Sequence, residues 1–134
     1  MKKWVWDLSY RIGFEHIDKQ HKQLFSIANE LLVQDHPLGY EKQIKITLQK
    51  IKEYIETHFT DEEIIMNKHN YPRLAEHKQR HNDIVNEMKK TMIKSNNMKD
   101  LHSNLDELLS KWIKVHILIE DMHFSRWAKT NKII

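Results

Sequence analysis

The 134 residues contain no cysteine. That excludes disulfides, zinc–thiolate clusters and cysteine nucleophiles. Glycine and proline are nearly as scarce, two of each, whereas a chain of many strands and tight turns needs far more. A few long helices joined by short loops are expected instead. No uncharged stretch is long enough to cross a bilayer. Asp7 and Arg11 interrupt the apolar run behind Lys2 and Lys3, so the start does not read as a signal peptide and a cytoplasmic location is expected. A strong charge of one sign is lacking too: 22 basic residues stand against 19 acidic ones, a formal net charge of +3. The two signs alternate along the chain as on solvated helix faces. The lysines between Lys89 and Lys99 have no interleaved aromatics, so neither nucleic acid nor a membrane is an expected partner. The length suits one domain with one core, and a monomer is expected.

Ten histidines are the unusual feature, because imidazole carries both metal-binding and pH-switching chemistry. Their meaning depends on where they fall in the apolar pattern, which has four blocks of helical period. The first holds Leu24, Phe25, Ala28, Leu31 and Leu32, and Asp35, Pro37 and Gly39 break it. The second holds Ile44, Leu48, Ile51, Ile55, Phe59 and Met66. Pro72 suits the first turn of the third, which continues through Leu74, Ile84, Val85, Met88 and Met92. Asn97 with Asp100 suits the start of the fourth, which holds Leu101, Leu105, Leu108, Leu109, Trp112, Ile113 and Ile117. The expected fold is all-α, an up-down-up-down antiparallel four-helix bundle. Its helices should span about 18–35, 40–66, 72–94 and 98–119. An extended N-terminal arm, about 1–16 with Trp4, Trp6, Tyr10 and Phe14, should pack over the bundle, and a short helix should lie in about 121–134.

Extending each stripe shows which polar residues share the interior face. His21 precedes Leu24 by three and Ala28 by seven. His58 and Glu62 lie four apart, in line with Ile51, Ile55 and Met66. His77 and His81 lie four apart between Leu74 and Ile84, and His116 sits between Ile113 and Ile117. Buried imidazoles and carboxylates are costly unless paired or coordinated. One such histidine is usually a hydrogen-bonded structural residue; ligand-type groups on all four helices point to metal. His16, His36, His69 and His102 fall off the stripes or in loops, and most of them are expected in solvent. Glu120 and His123 imitate one ferritin-like Glu-x-x-His pair, but that type needs two such pairs and two more glutamates.

Asp121 follows His116 by five, where the helix is expected to end and the backbone could turn the carboxylate inward. His21, His58, His77, His81, His116, Glu62 and Asp121 make seven groups, too many for one tetrahedral zinc. Two adjacent metals could share them. With both carboxylates and one solvent oxygen bridging, one metal reaches six ligands and the other five, leaving one place open. Imidazole and carboxylate at a six-coordinate centre suit iron or manganese better than zinc.

The pieces Ile17-Asp-Lys-Gln-His21-Lys, His58-Phe-Thr-Asp-Glu62-Glu, His77-x-x-x-His81 and His116-Ile-x-x-x-Asp121 resemble the hemerythrin family, in particular its bacterial members. The resemblance runs from Trp6 and Gly13 to about Trp127. It implies two iron ions, with His77, His81 and His116 on the saturated one, His21 and His58 on the open one, and Glu62 and Asp121 bridging. It implies further that dioxygen binds end-on at the open iron and leaves again. Leu24, Phe59, Trp112, Ile113 and Ile117 lie within a turn of these residues and resemble the family's oxygen-pocket lining; they are also ordinary core positions.

Reversible oxygen carriage, storage or delivery is the leading expectation, and an enzyme is not expected. The alternatives are a di-iron enzyme acting on peroxide, nitric oxide or ferrous iron, and an oxygen sensor. No general acid is evident in the expected pocket, which favours a carrier. A sensor of this length would need a separate protein partner.

Overall fold

The computed structural model describes residues 3–32, 37 and 39–134. The expected end of the first helix at 35, and His36, lie outside the described residues. The fold is all-helical, without strands among the described residues. Four helices form its frame: α1 (Glu15–Glu30), α2 (Tyr40–Lys68), α3 (Leu74–Lys94) and α4 (Met98–Lys111). Successive helices pack on one another, and α4 packs back on α1, as an antiparallel bundle requires. The core runs along the shared axis through Leu24, Ile44, Ile51, Leu105, Leu109, Ile113 and Ile117, each 0–1% exposed. Burial of each such side chain favours the fold by about 1.5–3 kcal/mol. No helix among the described residues is long and apolar enough to cross a membrane.

The helix ends follow from local chemistry. Asn97 caps α4 by accepting from the Asp100 N–H at 2.9 Å, so the cap lies where the sequence suggests. At the end of α2, Asn70 takes a left-handed φ of 57°, and the Tyr71 N–H returns to the Met66 carbonyl at 2.9 Å. Asn tolerates that conformation better than most residues. Tyr71, Pro72 and Arg73 form a turn ahead of α3, so Pro72 stands outside the helix rather than in its first turn. Met92, expected in the core, is 55% exposed; the inward face of α3 is completed by His77, His81, Met88 and Thr91.

The arm is shorter and less extended than expected. It ends at Phe14, and a single 3-10 turn spans Leu8–Tyr10. It packs as expected: Trp4 is buried, and its backbone exchanges two hydrogen bonds with the Asn29 side chain, at 3.0 and 2.8 Å. Asp18 secures the turn into α1, accepting from the N–H groups of Ile12 at 2.8 Å and Gly13 at 3.2 Å. Gly13 sits there at φ 99°, a region other residues rarely enter.

The main departure from expectation is at the far end of the fourth helix, which does not stop at 119. Trp112–Asp121 is a ten-residue π-helical segment, and α5 (Met122–Thr130) follows it. Lys111, Trp112, Asp121 and Met122 all keep right-handed helical dihedrals, so one rod runs through all three pieces. The buried positions explain the π turn. Leu105, Leu109, Ile113, Ile117, Asp121 and Ser125 repeat every four residues. In an α-helix each such step drifts by about 40° around the axis, which would carry the last residue to the opposite face. Wider i→i+5 turns cancel that drift.

Candidate metal centre

Each helix delivers its groups to one level of the bundle. His21 comes from α1, His58 and Glu62 from α2, His77 and His81 from α3, and His116 and Asp121 from the π segment. All seven are buried, none more than 4% exposed. The π turn, not a helix end, brings Asp121 onto the face of His116. Five residues make about one turn there, so both side chains enter the core.

The groups fall into two sets whose potential ligand atoms lie within 4.8 Å of one another. One is His77, His81 and His116 with Glu62; the other is His21 and His58 with Glu62 and Asp121. Glu62 belongs to both, and its two oxygens divide between them. Oε1 faces His77, His81 (3.1 Å) and His116 (3.7 Å). Oε2 faces His58 (3.3 Å) and His21 (3.7 Å). Asp121 divides in the same way: Oδ1 lies 3.0 Å from His77 and 3.2 Å from His116, while Oδ2 lies 3.1 Å from His21. In every one of these contacts the imidazole atom is Nε2.

Only part of this set is satisfied from within: Nε2 of His77 and of His81 contact Oε1 of Glu62 at hydrogen-bond distance. The Nε2 atoms of His21 and His58, Oε2 of Glu62 and both oxygens of Asp121 are buried and make no hydrogen bond. Nε2 of His81 and of His116 face each other at 3.1 Å. Unpaired buried polar groups cost about 1–3 kcal/mol each, and a native core rarely tolerates so many in one place. Nitrogen and oxygen atoms gathered in two such groups are what two cations would satisfy. The donor set of imidazole and carboxylate, with no thiolate, fits iron or manganese.

Protons and charges are strongly coupled here. Burial pulls His21 and His77 down, but Asp121 and Glu62 outweigh it and raise each to about 9. His116 is likewise pulled down by burial, yet Asp121, Glu120 and Glu62 lift it to about 10. At His58 burial prevails and the pKa falls. Burial would raise Glu62, but the surrounding histidines hold it well below the usual carboxylate range. Asp121 is lowered as well, against burial and the Glu62 charge.

Around this set lie residues that the stripes do not reveal. The Nδ1 of His58 contacts the Gln20 side-chain oxygen at 2.7 Å, and that of His81 contacts Glu63 at 2.7 Å. Tyr54 stacks on His58 with centroids 5.0 Å apart, and its hydroxyl donates to the Gln20 carbonyl at 2.7 Å. Their signal in the sequence is position alone: Gln20 and Glu63 adjoin His21 and Glu62, and Tyr54 precedes His58 by one turn.

Of the expected pocket residues, Leu24, Ile113 and Ile117 are fully buried, with Phe59 and Trp112 nearly so. Phe59 stacks on His81 at 3.9 Å and touches His58 and Trp112. Of the histidines set aside, His16 is exposed, and His69 and His123 are half-buried and outside both sets. His102 departs from expectation. It is not free in solvent but ties the bundle end, its Nε2 donating to the Leu31 carbonyl at 2.6 Å and its Nδ1 accepting from Tyr40 at 2.9 Å.

The family model described as "Hemerythrin HHE cation binding domain" matches residues 12–128. The chain belongs to the hemerythrin family. A bacteriohemerythrin of Clostridium acetobutylicum is 30% identical over 90% of this chain and 97% of its own length. A myohemerythrin of Theromyzon tessulatum is 32% identical, covering 89% of this chain and 88% of its own. A bacteriohemerythrin of Stenotrophomonas maltophilia is 25% identical over 95% of this chain and 82% of its own. No solved structure matches. Membership in this family carries a non-haem di-iron site with it, and both groups of candidate ligands are of the kind such a site needs.

Proposed function

We propose that this chain binds dioxygen reversibly at two iron ions, for carriage, storage or delivery. The observation that carries the reading is the unequal division of imidazoles about two shared carboxylates. His77, His81 and His116 would hold one iron and His21 and His58 the other, with Glu62 and Asp121 spanning both. With equal bridging, the two-histidine iron would have one protein ligand fewer and so room for dioxygen. Two ferrous ions together can lend the two electrons that dioxygen takes up on binding and returns on release.

The surrounding residues support binding over turnover. Leu24, Phe59, Trp112, Ile113 and Ile117 would wall the open place with apolar surface and exclude water, which otherwise drives irreversible oxidation. Tyr54 is the phenol stacked on the site, and burial raises its pKa well above the ordinary value. Its proton is committed to the Gln20 carbonyl, so it is not offered to a bound oxidant. A general acid must reach the group it protonates.

The test is optical. The iron-loaded, reduced protein should be nearly colourless without oxygen, gain a visible band in air and lose it under vacuum over repeated cycles. Sustained turnover of added peroxide, or bleaching to a ferric form in the first cycle, would replace the carrier reading with an enzymatic one.

A further inference from the structure

Two of the five imidazoles at the centre have a close partner on the outer nitrogen, and the two partners differ. His81 faces the carboxylate of Glu63, which can only accept a hydrogen bond. His58 faces the amide of Gln20, which can present either an oxygen or an NH2 group. With the amide turned the wrong way, His58 would accept on Nδ1 and carry its proton on Nε2, where no metal could then bind.

A second contact decides the orientation. The other end of the Gln20 amide lies 2.8 Å from Oδ2 of Asp61. An ionised carboxylate accepts only, so the amide nitrogen must face Asp61 and the amide oxygen must face His58. His58 therefore donates from Nδ1, and its Nε2 lone pair is free towards Glu62 and the centre. Asp61 is held in place by His16, whose Nε2 lies 2.8 Å from the same oxygen. Gln20 is 8% exposed, its main-chain carbonyl takes the Tyr54 hydroxyl, and both ends of its side-chain amide are held, the oxygen by His58 and the nitrogen by Asp61. His58 and Asp61 lie three apart on α2, which puts them on the same face opposite Gln20 of α1.

We propose that Asp61 and Gln20 are positioning residues for the two-histidine metal. Asp61 sets the direction of the Gln20 amide, and the amide sets the tautomer of His58. The inference rests on the two-metal reading above. It assigns a role to a partly exposed carboxylate that touches no ligand of the centre.

Zinc tests it without redox chemistry. Calorimetric titration of the metal-free protein should show two zinc ions per chain in the parent. Asp61→Asn lets the amide turn over, and Gln20→Leu removes it. Each should weaken one of the two ions by about 10–100-fold, the usual effect of losing such a partner, and leave the other unchanged. The double variant Asp61→Asn with Gln20→Glu should restore the affinity, because the new amide donates to a carboxylate that still accepts from His58. In the zinc-loaded parent, 15N NMR should find the His58 proton on Nδ1. Parental affinity in both single variants, equal weakening of both ions, failure of the helical double variant to recover, or a His58 proton on Nε2 would each overturn the proposal. A parent that takes up fewer than two zinc ions would sink the two-metal reading itself.

Discussion

Replacing Leu24 by Ala separates the pocket role of this residue from its packing role. Leu24 has no solvent exposure and belongs to the main apolar cluster. The substitution removes three carbons, which at about 0.8 kcal/mol each forfeits roughly 2.4 kcal/mol of burial. The backbone of α1 is held by the Asn29 and Asp18 contacts, so the space should not close fully, and a cavity term brings the loss to about 3 kcal/mol. That is a sizeable part of the about 5–15 kcal/mol of a typical domain, and it should lower Tm by about 10 °C. The fold and the cluster of seven candidate ligands should survive. The new space lies one turn from His21 and admits water beside the open coordination place. Oxygenated Leu24→Ala should therefore keep two irons per chain and autoxidise several-fold faster than the parent, followed as decay of the visible band. Leu8→Ala, at a residue 76% exposed, should change neither rate nor Tm. A Leu24→Ala protein with full iron, lowered Tm and the parental autoxidation rate would show that Leu24 only packs.

Further outcomes follow from the same geometry. Glu62 turns one oxygen to each set of imidazoles, so Glu62→Ala should lose both irons together in metal analysis; retention of one would refute the shared role. His116→Ala should lower iron content, whereas His102→Ala should keep it and cost about 1–2 kcal/mol in denaturant unfolding, because it strips the Leu31 and Tyr40 bonds. In the cation-free protein His21 and His77 titrate near 9 and His116 near 10. They hold protons at neutral pH, so ferrous binding should release protons and tighten as pH rises towards 9–10. Calorimetry in buffers of different ionisation enthalpy would expose a pH-independent uptake, which would contradict this. For the cation-free fold, the stability these raised histidines give is complete below about 6.5 and is lost as pH rises through 9–10.

The bundle was legible because apolar stripes of helical period survive any tertiary rearrangement, and the scarcity of Gly and Pro left few other folds. The side chains that converge in the core were legible for the same reason: His21, His58, Glu62, His77, His81 and His116 lie on those stripes. Asp121 joins the same cluster, but for another physical reason than the sequence suggests. A helix end was expected to turn it inward, whereas the π segment does so. The clue was the strict four-residue repeat from Leu105 to Ser125, which no straight α-helix keeps on one face. Met92 was misplaced because α3 spends its inward face on histidines, and an exposed methionine at the end of a stripe looks like a buried one. Gln20, Asp61 and Glu63 were hidden because hydrogen bonds between helices leave no periodic trace, only adjacency to His21 or Glu62. His102 was misjudged on similar grounds: its partners lie 62 and 71 residues away.

The most direct test of the central claim is anomalous diffraction at the iron edge from crystals of the protein purified with its native metal. Two peaks should appear in each chain, both beside Glu62 and Asp121, one among His77, His81 and His116 and the other between His21 and His58. A single peak, or peaks away from these residues, would contradict the account.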